Sequence, residues 1–122
     1  MNWRWLRGYA EKLSGRTFKY WRLTGGGAQS DVWAQILADV VGIPMHRQSN
    51  ARFHNVIGMG LLAFNRLGLV RLEDIPSMIH FDRVFEPDPK NRPVYDRMYG
   101  QFSAAREKIR PVMHALNNSH GA

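Results

Sequence analysis

The sequence predicts a mixed α/β domain with few strands, packed helices and a long, kinked C-terminal helix. Two observations carry that expectation. Short runs of β-branched and aromatic residues are followed by glycine or polar turns, and then by apolar residues spaced three and four apart. Beyond Pro93, apolar side chains keep that spacing for more than twenty residues, past a single interrupting proline, Pro111. A chain of 122 residues is one domain or part of one, and can bury roughly two-thirds of its unfolded surface without covalent staples.

The elements follow in order. Residues 3–13 set Trp5, Leu6, Tyr9 and Leu13 at helical spacing among Arg4, Arg7, Glu11 and Lys12, which predicts an amphipathic helix ended by Gly15. Thr17 to Thr24, TFKYWRLT, reads as a strand that stops at three glycines. Ser30 stands at an N-cap and Asp31 suits the positive end of a helix. Val32, Trp33, Ile36, Leu37, Val40 and Val41 line the stripe of that helix, and Gly42 before Pro44 closes it.

Pro44 to Gln48 is extended, and Asn55 caps a third helix running to Leu67 and Gly68. Gly58 and Gly60 inside that helix each cost about 1 kcal/mol relative to Ala, which implies another backbone approaching closely. Leu72 to Ile79 reads as a short helix and Phe81 to Phe85 as extended. Glu86 to Pro93, with three prolines, is loop. Tyr95, Met98, Tyr99, Phe102, Ile109, Val112, Met113 and Leu116 define the last helix, kinked at Pro111, before a frayed tail at 118–122.

Composition removes several classes. There is no cysteine, so disulfide scaffolds and cysteine zinc sites are excluded. The longest apolar run, Val56 to Phe64, is about half of the ~20 residues that a membrane span needs. The first thirteen residues mix Trp and Arg instead of forming a secretory apolar core, which places the chain in the cytoplasm. A net charge of +7 invites an acidic partner, yet no three basic residues are consecutive. The histidines at 46, 54, 80, 114 and 120 form no i,i+4 pair, so no metal site is expected. Asp39, away from the start of its helix, reads as a solvated or salt-bridged carboxylate.

The chemically informative segment is Thr24-Gly25-Gly26-Gly27-Ala28-Gln29-Ser30, between a strand and a helix. Successive glycines bring main-chain N–H groups close to a ligand, and the helix start adds partial positive charge. Such a turn suits a phosphate or nucleotide, or is simply a tight strand-to-helix connection. The P-loop pattern is absent. For a dinucleotide fingerprint, Gly25 and Gly27 fit, but Ser30 takes the third position and no acidic residue stands in Pro44 to Gln48. Ser30 lacks the surrounding G-x-S-x-G of a nucleophile elbow.

LTGGGAQSDVWAQILADVVGIPM resembles the second glycine-rich segment of the FGGY carbohydrate kinases, most of all the xylulokinase branch. NWRWLRGYAEKLSGRTFKYWRLT resembles the helix and strand before it, and NARFHNVIGMGLLAFNRLGLVRLEDI the helix that packs beside it. The PDP, the Tyr95-x-x-x-Tyr99-x-x-Phe102 spacing, Arg110-Pro111 and Leu116-Asn117 are similar to the end of such kinases.

The resemblance implies that residues 1–117 are the C-terminal portion of the nucleotide-binding lobe of an actin-like, ribonuclease-H-like ATPase fold. Family members transfer the γ-phosphoryl of ATP, with Mg²⁺, to a sugar hydroxyl. Gly25, Gly26, Gly27 and Ala28 would lie against ATP or ADP, with Gln29, Ser30 and Asp31 at the adjoining helix start. Glycerol kinases of the family often carry Asn where Asp31 stands. Gln35 and Asn55 match family positions that read as packing or hinge residues. The Asp base and the metal carboxylates belong to the N-terminal lobe, so this chain holds no catalytic residue and is expected to be inactive alone. Its partners would be a nucleotide and the missing lobe or a second copy, with sugar bound only in the intact enzyme. A different class, a small nucleic-acid-binding module, would use Trp3, Trp5, Tyr20 and Trp21 with nearby Arg and Lys.

Overall fold

The computed structural model describes residues 1–118 of the chain, and the side chains of residues 1–117. Helices α1 (Asn2–Ser14), α2 (Asp31–Val41), α3 (His54–Arg66), α4 (Ile75–Met78) and α5 (Arg92–Asn118) accompany strands β1 (Trp21–Leu23), β2 (Met45–Gln48) and β3 (Phe81–Phe85). The sheet has the order β1-β2-β3, with β1 and β2 parallel and β2 and β3 antiparallel.

The core is the layer between this sheet and α2. Trp21, Met45 and Phe85 stand opposite one another in the sheet register. Together with Leu23 they meet Ala34, Leu37, Ala38 and Val41 of α2. Ala34 and Ala38 are completely buried, and their small size lets the helix lie close to the strands. The helix begins where Ser30 Oγ accepts from the Trp33 N–H at 3.3 Å. It ends at Gly42, whose φ of 76° is the left-handed cap that favours glycine.

Several readings of the elements change: α5 already begins at Arg92, inside the expected loop, and includes Asn118 of the expected tail. The first strand is three residues long, because the Phe18 N–H donates to Glu11 Oε1 at 2.9 Å and ties that segment to α1 instead of the sheet. That bond, reinforced by Arg7, holds the Glu11 carboxyl below the usual carboxylate range. Asn55 lies within α3 rather than capping it. In α2, Val32 and Trp33 are exposed, since the face that meets the sheet starts at Ala34. Helix α5 runs through Pro111 to Asn118, and the rest of the expected tail, 119–122, lies outside the described residues.

Asp39 also departs from expectation. It is only 3% exposed and accepts from Gln35 Nε2 at 2.9 Å, the Asp88 N–H at 2.8 Å and Asn91 Nδ2 at 2.7 Å. It is not solvated and makes no salt bridge among the described residues; neutral donors fasten α2 to the proline-rich loop. Farther along, α5 packs on α1 through Arg4, which lies 2.7 Å from Asp96 and over the Tyr99 ring, and through Arg106 over the Trp5 ring. Arg4, aided by Arg92, holds the Asp96 carboxyl below its ordinary value.

Helix α3 buries no residue, although it carries Val56, Ile57, Met59, Leu62 and Phe64. A Cβ built on Gly58 or Gly60 meets nothing within 4 Å among the described residues. The close backbone expected there is therefore not supplied by this part of the chain. Gly60→Ala is accordingly expected to raise the stability of the isolated chain by about 0.5–1 kcal/mol, through helix propensity alone. Urea unfolding of the two proteins checks it, and a loss of stability would mean that the space is filled.

Candidate functional site

The glycine turn and a second turn meet at the C-terminal ends of the two parallel strands, where open α/β sheets bind ligands. Gly25 has φ 83° and ψ −174°, a conformation essentially confined to glycine. Its N–H donates to the Ala51 carbonyl at 2.8 Å and so pins the glycine turn to the turn Ala51–Phe53 that follows β2. Gly26–Gln29 then forms a single 3₁₀ turn, closed by Ala28 N–H to Gly25 O at 3.2 Å.

Gly26 and Gly27 are exposed, and a Cβ on either meets no neighbour within 4 Å. Ala28 is completely buried between two cavities. One, of about 430 Å³, is polar and bounded by Gln29, Arg47, Gln48, Asn50, Arg52 and Asp82. The other, of about 410 Å³, is apolar; Gly27 shares its wall with Trp3, Leu23, Trp33 and Leu37. Gly27 thus borders the apolar cavity, while Ala28 and Gln29 border the polar one.

Of the sequence-selected residues, Gly25, Gly26, Gly27, Ala28 and Gln29 come together at this place. Ser30 is occupied in capping α2. Asp31 is turned to the strands: one carboxylate oxygen lies 2.6 Å from Arg47 and the other pairs with Arg83. Arg47 is bound in addition to Asp82 at 2.8 Å, and these carboxylates, Asp82 foremost, lift its pKa further above the usual arginine value. Gln35 and Asn55 take no part in the turn; Gln35 instead binds Asp39 and the Glu86 carbonyl.

Sequence reasoning missed Arg47, Gln48, Asn50, Arg52 and Asp82. The available signal was the polar stretch directly after a second strand predicted to follow a helix, which places it beside the first βα turn. Of the aromatic residues proposed for nucleic acid, Trp3 and Trp21 pack edge to face, while Trp5 and Tyr20 have other partners. Trp21 packs with Trp3 and Phe18, Trp5 lies between Tyr9 and Arg106, and Tyr20 stacks on His46 with ring centroids 4.2 Å apart.

No family model matches the chain. Over 97 residues, 76% of the chain, it is 32% identical to the autoinducer-2 kinase of Enterobacter sp. (strain 638). Over 90 residues, 72% of the chain, it is 30% identical to the xylulose kinase of Staphylococcus epidermidis (strain ATCC 35984). The chain is similar to a segment of sugar kinases. It spans 18% of the length of each of these two relatives. The fold agrees: the ligand-bound xylulose kinase from Lactobacillus acidophilus superposes with a TM-score of 0.67 at 24% identity, covering 88% of this chain and 22% of that one. The xylulose kinase from Rhodospirillum rubrum gives 0.57 at 26% identity, covering 92% and 23%. These structures share the small sheet with helices packed about it.

Proposed function

We propose that the chain is the C-terminal part of the nucleotide-binding lobe of an FGGY-type, xylulokinase-like sugar kinase, and that Gly25 to Asp31 form its ATP/ADP-binding turn. The observation that carries this reading is the open main chain at Gly26 and Gly27, held by the Gly25–Ala51 hydrogen bond at the C-terminal ends of two parallel strands. Gly26 and Gly27 bind and orient the nucleotide through main-chain groups, with Ala28 buried behind them and its N–H held by the Gly25 carbonyl. Ser30 fixes the start of α2, and Asp31 sets the position of Arg47 from outside the cradle.

In the intact enzyme, ATP with Mg²⁺ supplies the γ-phosphoryl group for a pentulose or related sugar hydroxyl. The base that orients that hydroxyl and the carboxylates for the metal come from the N-terminal lobe, so the chain alone is expected to be inactive. The exposed apolar face of α3, with room at Gly58 and Gly60, suits the packing of that lobe. No helix of the described residues is long and apolar enough to cross a membrane.

Calorimetric titration with ADP tests the reading. The wild-type chain is expected to bind, and Gly27→Val to lose at least tenfold in affinity, because an isopropyl group would stand where the nucleotide approaches. Equal heats from both proteins would remove the glycine turn from the account.

A further inference from the structure

Helix α3 is apolar on two sides, and one of them faces its own chain. Ile57, Gly58, Leu61 and Leu62 line a cavity of about 330 Å³ together with Ile75 and Met78 of α4. At 100° per residue, Val56, Ala63, Phe64 and Leu67 fall on the opposite side, and Phe53 joins them from the turn before the helix. All five are exposed, Val56 by 72% and Leu67 by 71%. No charged residue of the helix stands among them. The amount of open surface is also out of proportion to the mass. The chain exposes 9239 Å², whereas a compact monomer of 14.1 kDa exposes about 6,700 Å². The excess is about 2,500 Å², and a specific interface covers about 800 Å² on each partner. Helix α5 shares in this excess through Ile109, Val112 and Met113, but Lys108 and Arg110 flank them there.

We propose that the outer side of α3 is the surface through which the 122-residue chain pairs with a second copy of itself. A two-fold pair sets the same patch on both partners, so each must be apolar where the other is. The outer side of α3 meets that condition without burying an ion, and the uncovered area is ample for the contact. On α5 the same arrangement would bring like charges together. The net charge of +7 on each copy opposes association, so pairing tightens as salt screens it. The missing lobe proposed above would take the same side of α3 and compete with pairing. Pairing does not depend on the nucleotide reading, because the glycine turn contributes no residue to this face.

Sedimentation equilibrium of the 122-residue chain over a series of concentrations, at low and high salt, tests this for wild type, Ala63→Glu and Val112→Glu. The wild type is expected to reach the mass of two chains, at lower concentration when salt is high. Ala63→Glu sets an unpaired carboxylate in the contact on both copies and is expected to weaken pairing about 100-fold or more. Val112→Glu, on α5, is expected to leave it unchanged. Ala63 and Val112 are exposed, so both variants should fold, and circular dichroism verifies that; Val56→Glu replaces Ala63→Glu if the latter loses helix. A wild type that stays monomeric at every concentration and salt would overturn the proposal. A dimer that survives the glutamate on α3 would overturn it too, and one dissociated by Val112→Glu alone would move the contact to α5. None of these outcomes bears on ADP binding, which its own titration decides.

Discussion

Asp39→Ala is expected to destabilise the chain by about 3 kcal/mol or more. Its carboxylate is buried and accepts three hydrogen bonds from neutral donors on α2 and the 86–91 loop. A hydrogen bond to a charged group contributes about 1.5–3 kcal/mol, and buried donors left without partners add their desolvation penalty. The substitution strands the Asp88 N–H and the Asn91 amide together, so the loop that leads into α5 should loosen. Asp39→Asn keeps the shape and one acceptor oxygen but turns an NH₂ towards a donor, and should fall between wild type and Ala. Urea unfolding followed by circular dichroism measures all three. A cost below about 1 kcal/mol for Asp39→Ala would mean that the loop is not held in this way.

Gly25→Ala is expected to cost about 2 kcal/mol and to lower the affinity for ADP sharply. Nothing lies within 4 Å of the added methyl group, so the whole effect comes from the backbone. At φ 83° and ψ −174° an alanine is strained by roughly 1–3 kcal/mol. Relief of that strain rotates the Gly25 N–H away from the Ala51 carbonyl and unfastens the two turns that border the polar cavity. The helical circular dichroism should stay close to that of the wild type, since α2 keeps its own Ser30 cap. An alanine variant as stable as wild type, with unchanged ADP binding, would show that neither the conformation nor the junction matters.

Features decided within a few residues were legible in the sequence. The Ser30 cap, the Gly15 and Gly42 helix ends and the glycine turn depend on neighbours within one turn of chain. The first strand was read too long because the partner of Phe18 is a glutamate on the preceding helix, which competes with strand pairing and leaves no trace in composition. Asp39 was misread for a related reason. Its donors Asp88 and Asn91 stand 49 and 52 residues away, and helical position alone suggests solvent.

The same division holds at the site. Gly25 to Gln29 could be picked out because glycine runs are uncommon between a strand and a helix. The wall formed by Arg47, Gln48 and Arg52 exists only because β2 lies parallel to β1 and brings the turns after both strands to one edge. Gly58 and Gly60 were read correctly as odd for a helix interior. The close backbone expected beside them is not found among the described residues.

Amide shifts of the ¹⁵N-labelled chain during titration with ADP bear most directly on whether the glycine turn holds a nucleotide. The expected result is a saturable movement of the Gly26, Gly27 and Ala28 resonances, followed by those of Asn50 to Arg52 across the cavity, while the exposed half of α5 beyond Arg106 stays still. Saturable shifts confined to other parts of the chain, or none at millimolar ADP, would contradict it.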